Sequence, residues 1–220
     1  MSGLLLLSQC LAASLKLLRP ESLLMIASRT RAFPLLLLGA WAGAVIGAEQ
    51  VSVEASRQGT AVAIEARATI KASHALIWQT LTDYDHLSEF IPGMLTSHLI
   101  GRRGSAATVE QTGKAEFLFF TYPIEVVVES REEPPSFIGM RVLNGNVKQL
   151  DGGYRIEKAD GKEDKYVLRW SGLIERPALL PPFITVPLMR ANVADQFQGM
   201  VKEIERREAL LRRKQVAWKD

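Results

Sequence analysis

The chain has 220 residues, one cysteine and a formal net charge of +3. Cys10 alone can form neither an internal disulfide nor a cysteine-built metal site. Of the 27 basic and 24 acidic residues, Lys16, Arg19, Arg29, Arg31 and Glu21 lie in residues 1–48, leaving 23 of each sign beyond. A balanced remainder gives no argument for nucleic-acid binding, which needs a clustered, phosphate-neutralising surface.

Residues 1–48 read as a leader. Arg29 and Arg31 precede an apolar run, Phe33 to Ile46, then small residues and Glu49-Gln50. This is the order of a signal peptide, with cleavage after Ala48 placing polar sequence directly behind the cut. The run is short for a spanning helix, which needs about 20 apolar residues; a retained N-terminal anchor is the alternative. Starting at Met25 gives a leader of ordinary length, so Met25 is the expected true start. Export to a periplasm or beyond follows. The expected division is residues 1–48 as leader, 49–213 as one domain and 214–220 as a charged tail.

Val51–Arg57 and Ala61–Lys71 alternate as strands around a Gln58-Gly59 turn. Ser73 is placed as an N-cap for a helix carrying Leu76, Ile77, Thr80 and Leu81 on one face, with Trp78 beside it. Asp83 and Asp85 start a second short helix with Leu87 and Phe90, where they are expected to act as caps, and Ile91-Pro92-Gly93 ends it. Strand patterns follow at Met94–Ile100, Thr108–Phe117, Phe119–Glu129, Phe137–Leu143, Tyr154–Lys158 and Tyr166–Leu173. Between them lie the turn signals Gly101-Arg102-Arg103-Gly104, Glu132-Glu133-Pro134-Pro135, Asn144-Gly145, Asp151-Gly152 and Asp160-Gly161. No βαβ spacing occurs, so the sheet is an antiparallel meander. Pro177–Pro182 is a stiff linker. Behind it Val186, Met189, Val193, Phe197, Met200, Val201 and Ile204 form the apolar stripe of the longest helix.

Ala75, Trp78, Leu81-Thr82-Asp83-Tyr84 and Phe90-Ile91-Pro92 resemble the opening signature of the polyketide cyclase/dehydrase and START-like (SRPBCC) superfamily, near its coenzyme Q-binding branch. The likeness runs from about Ala61 to about Leu211. It implies an α+β helix-grip fold: a curved antiparallel sheet of six to seven strands wrapped around a long C-terminal helix, with two short helices after the first strand. It also implies a ligand pocket under that helix. One helix cannot tile the whole concave face of such a sheet, so either bulky side chains or a cavity fills the gap.

Phe90, Phe117, Phe119, Tyr122, Trp170, Phe183, Phe197 and Met200 are the candidate cavity residues, each of which would serve equally as plain core. Phe117–Phe120 is apolar throughout, so strand parity does not choose which pair points inward. Glu110, Glu125 and Arg169 are candidates for an acid, a base or a polar anchor; on strands such charges ordinarily face water. Asp83, Asp85 and His86 lie close together but lack metal-ligand spacing, and His74 and His98 do not complete a site. No catalytic triad, dinucleotide or kinase signature occurs. Arg206-Arg207 and Arg212-Arg213-Lys214, beside Trp218, either complement the helix dipole or touch an anionic membrane surface transiently.

The expected function is therefore an exported, cofactor-free binder of a hydrophobic small molecule: a lipid, isoprenoid, quinone or polyketide-like compound. A cyclase- or dehydratase-type enzyme using one acid or base in the same cavity is the second reading. A protein-interaction module without ligand is the third. Oligomeric state is left open.

Overall fold

The computed structural model describes residues 51–117, 120–159, 164–175 and 182–217. The chain divides into Met1–Ala44 and Val45–Asp220, and every described residue lies in the second unit.

The second unit is an α+β structure built on one open antiparallel sheet. Its strands are β1 (Ser52–Gln58), β2 (Ala61–Lys71), β3 (Met94–Arg103), β4 (Ala106–Phe117), β5 (Phe120–Glu133), β6 (Phe137–Gly145), β7 (Leu150–Lys158) and β8 (Lys165–Glu175). Their spatial order is β1-β2-β8-β7-β6-β5-β4-β3. The sheet thus has eight strands rather than the six to seven expected. One edge is β1, which pairs with β2 from Gln58↔Ala61 to Ser52↔Arg67 although Val53 is its one fully buried residue.

Between β2 and β3 stands the clasp: helix α1 (His74–Leu81) and a 3₁₀ turn, Tyr84–Glu89. The Ser73 hydroxyl accepts from the Leu76 N–H at 3.3 Å, the predicted N-cap. The Asp83 side chain makes no cap bond and Asp85 turns elsewhere, which corrects the capping expectation for both. Asp83 bonds His86 and Arg207, while the Asp85 carboxylate accepts from the Leu99 N–H of β3 at 2.8 Å. For Asp83 an arginine and a histidine within reach outcompete a weak cap on a turn of only six residues, and for Asp85 a backbone N–H of β3 takes the same place.

The long helix α2 (Pro182–Ala217) lies against the sheet and clasp. Proline at its first position loses no intrahelical bond, because the first four N–H groups of a helix have no partner anyway. Phe197, Val201 and Ile204 are at most 1% exposed and pack with Val62, Ile64, Ile70, Ile77 and Leu168 in the main core. At the clasp, a Cβ on Gly199 would stand 2.6 Å from the Phe90 carbonyl oxygen and 2.5 Å from Pro92 Cδ. Only glycine lets α2 approach the 90–92 loop this closely.

Candidate functional site

Alternation decides what each strand sends inward. β5 contributes Tyr122, Ile124, Val126, Val128 and Ser130; β6 contributes Ile138, Met140 and Val142; β7 and β8 contribute Leu150, Tyr154, Trp170 and Ile174. From α2 come Leu188, Met189, Asn192, Val193, Gln196, Phe197 and Met200, an i, i+4 pattern along one face. The clasp adds Tyr84, Leu87 and Ile91. These walls enclose a cavity of about 230 Å³ between the sheet and α2.

The aromatic walls are positioned by small neighbours. Trp170 sits opposite Ala66 on β2 and Tyr154 on β7. Its indole lies over Gly172, where a Cβ would come within 2.6 Å of the ring. Tyr154 is flanked by Ile138 and Trp170 in register and stacks on Phe197, with centroids 6.4 Å apart and planes 8° from parallel.

Of the eight candidates, Tyr122, Trp170, Phe197 and Met200 line the cavity. Phe90 does not: it borders a shallow depression on the other side of α2, with Pro92, Gly199 and Arg206. Phe183 does not either. It is 79% exposed, because it falls in the first turn of α2 on the side away from Ile184 and Leu188. The Phe117 side chain and all of Phe119 lie outside the described residues.

The proposed acid–base residues are also placed. Glu110 and Glu125 are exposed, and Arg169 pairs with Glu157 at 3.0 Å across β7 and β8. None of the three is among the cavity walls. The nearest charged constellation is one step removed. The Tyr84 hydroxyl donates to Glu132 Oε1 at 3.0 Å, and Arg102 holds the same oxygen at 2.9 Å. Burial, reinforced by the Glu132 carboxylate, pushes the Tyr84 phenol far above its ordinary range. Burial alone pushes the Tyr154 phenol up to about 12. Both therefore stay protonated near neutrality. Asp83 and His86 meet at 2.6 Å, but no group of three or more His, Cys, Asp or Glu able to hold a metal occurs among the described residues.

Sequence reasoning missed Tyr154 as a wall residue, along with Asn192 and Gln196. The signal for Tyr154 was its parity with Leu150 and Ile156 on one strand. For Asn192 and Gln196 it was their place beside Val193 and Phe197 at helical spacing.

Residues 61–207 match the family described as "Polyketide cyclase / dehydrase and lipid transport". The chain belongs to this family. Among curated proteins none matches in sequence. Solved structures share the fold at low identity. A STAR-related lipid transfer protein from Xanthomonas axonopodis is 12% identical, with a TM-score of 0.58 over 72% of this chain and 95% of that one. The Zhui aromatase/cyclase from Streptomyces sp. R1128 is 17% identical, with a TM-score of 0.55 over 67% and 95%. A START superfamily protein from Mycobacterium smegmatis is 13% identical, with a TM-score of 0.53 over 68% and 98%. The helix-grip architecture is common to all of them.

Proposed function

We propose that the protein is an exported carrier that holds a hydrophobic small molecule in the cavity between its sheet and α2. The observation that supports this reading is the wall itself: aliphatic and aromatic side chains from nine elements, with a few polar groups among them. The family's description covers lipid transport alongside polyketide cyclase/dehydrase, so membership is compatible with a carrier and leaves the choice to the cavity walls. An apolar interior left unfilled by side chains forfeits dispersion contacts that a ligand would restore.

The carrier reading is favoured over catalysis because acid–base groups are few among the described walls: one carboxylate, Glu175 at the end of β8, and the hydroxyls of Tyr84, Tyr122 and Tyr154, with no histidine, lysine or arginine. General acid–base work needs a titratable group at the reacting atoms. Export rests on the leader read in residues 1–48. N-terminal sequencing of protein recovered from its host is expected to begin at Glu49, and recovery of an intact Met1 or Met25 terminus would remove export from the reading. Delivery would bring the protein to a membrane surface only transiently. No helix among the described residues is long and apolar enough to cross one.

The test of binding is uptake of the neutral apolar dye N-phenyl-1-naphthylamine by the full chain, read as fluorescence enhancement. Saturable enhancement at one dye per chain is the expected result. No enhancement, together with no uptake of lipids, quinones or isoprenoids offered to the protein directly, would end the carrier reading.

A further inference from the structure

The polar groups that reach the cavity are not equally free. The Tyr84 hydroxyl is committed to Glu132, and the Tyr122 hydroxyl donates to the Asn146 carbonyl at 3.2 Å. Gln111 donates to Ser97 at 3.3 Å, and Thr112 shares a 2.7 Å bond with Thr96. The Asn192 amide spans Leu188 and Glu116. Tyr154 differs. Its hydroxyl makes no hydrogen bond to the described residues, yet no fully enclosed side-chain nitrogen or oxygen among them lacks a partner. The Tyr154 oxygen therefore borders open space, and the space Tyr154 lines is the cavity. Its ring is held by the stack on Phe197 and by Ile138 and Trp170 alongside, so the hydroxyl has a fixed aim.

Charge adds a second, independent observation. Among the described walls there is no cation, and the one ionisable carboxylate is Glu175. A ligand carboxylate or phosphate buried here would lose its hydration and gain no countercharge from the described walls. An unpaired phenol donor, by contrast, is satisfied by a neutral acceptor oxygen.

We propose that the cavity selects an uncharged ligand whose apolar body lies against Trp170, Phe197 and Met200 and whose carbonyl or ether oxygen accepts from the Tyr154 hydroxyl. This rests on the carrier reading above and narrows its ligand class. Free fatty acids and phosphate head groups are excluded from the interior; ketones, esters and quinone-like carbonyls fit it.

The experiment is competition against bound N-phenyl-1-naphthylamine on the full chain at pH 8, with methyl decanoate, decanoate and undecane as competitors of matched length. Methyl decanoate is expected to displace the dye at a concentration at least about 10-fold below decanoate. Tyr154→Phe, which keeps the ring and its stack, is expected to weaken methyl decanoate about 5- to 30-fold and leave undecane unchanged within about twofold. The undecane titration shows that the variant's cavity is intact. Equal displacement by decanoate and its ester overturns the charge rule. An unchanged ester affinity in Tyr154→Phe, or an equal loss for ester and undecane, overturns the hydrogen bond. Failure of the unaltered protein to take up dye at all instead sinks the carrier reading, and this inference with it.

Discussion

A Cβ on Gly172 would stand 2.6 Å from Trp170 Cη2 and 2.8 Å from Cζ2. Gly172→Ala must therefore push the indole off the strand and toward the cavity. Overpacking of this kind costs about 1–3 kcal/mol, and chemical denaturation is expected to show a loss in that range together with weaker dye binding. Unchanged affinity would mean that the indole is not a wall the ligand touches. Residue-scale legibility was uneven for physical reasons. Tyr122, Trp170, Phe197 and Met200 could be read because each sits on a strand or stripe with clear periodicity. Phe90 and Phe183 misled because aromatic character does not specify direction: one ends a 3₁₀ turn against the outer side of α2, and the other falls in the first turn of a helix. Tyr154 was passed over because Asp151-Gly152 reads as a turn, whereas the chain continues through it as β7.

The clasp and α2 are joined by a small ionic latch. Arg207 Nη2 meets Asp83 at 2.9 Å and Nε meets Glu203 at 2.7 Å, with its guanidinium 5.4 Å above the Phe90 ring. Arg206 holds the other side of Glu203 at 2.6 and 2.7 Å. The arginine is 21% exposed, so Arg207→Ala is expected to cost about 1–3 kcal/mol, the range for hydrogen bonds to charged groups. Because Tyr84, Leu87 and Ile91 of the clasp are cavity walls, the same variant is expected to release bound dye faster. Stopped-flow dilution reads that rate; an unchanged rate would place the ligand's exit elsewhere.

The latch also sets a pH dependence. Burial works to raise the Asp83 carboxyl, but the bonds to His86 and Arg207 outweigh it and hold it below its ordinary value of 3.8. The bond from Arg206, against burial and with help from Arg207, holds Glu203 below 4.5. A depressed carboxyl stabilises the fold above its ordinary pKa and loses that contribution as pH falls through the lower folded value. His86 is raised above 6.5 by its bond to Asp83, so its contribution is full below 6.5 and lost as pH rises through the folded value. Urea midpoints are therefore expected to fall below about pH 4 and to sag slightly above neutrality. His86→Gln is expected to abolish the alkaline sag and to reduce part of the acid loss, because His86 is one of the two partners that hold Asp83 down. An acid loss of the same size in Arg207→Ala would show that the latch does not carry it.

At the scale of the whole molecule, the order of turns was enough to predict the β3–β8 antiparallel meander and the C-terminal helix, but not the pairing of β2 with β8 that sets β3 at the far edge. The apolar stripe from Val186 to Ile204 is a local signal with a local cause. Asn144-Gly145, by contrast, falls inside β6, paired with Val127 and Val126. The turn expected at Gly101–Gly104 is made by Gly104 and Ser105, after β3 has run on to Arg103. The eight strands, β1 among them, correspond to the eight strand patterns along the chain, and the count of six to seven came from the resemblance alone. The cavity itself was foreseeable only as geometry. A curved eight-stranded sheet offers more inward face than one helix covers, and sequence does not say whether side chains fill the remainder. If a ligand fills it, binding must stabilise the fold by mass action. At a free ligand concentration 100 times Kd the gain is about 2.7 kcal/mol, which for a domain of this size raises Tm by about 5–10 °C. Stripping the ligand should lower Tm by as much, and adding it back should restore the value.

The most direct test is native mass spectrometry of the protein purified from its own host, followed by denaturing extraction of whatever it carries. The account predicts a discrete adduct at one per chain, released on unfolding, that is apolar, uncharged and bears an acceptor oxygen. A clean apo mass, with no uptake from a panel of neutral lipids, isoprenoids and quinones, would contradict it.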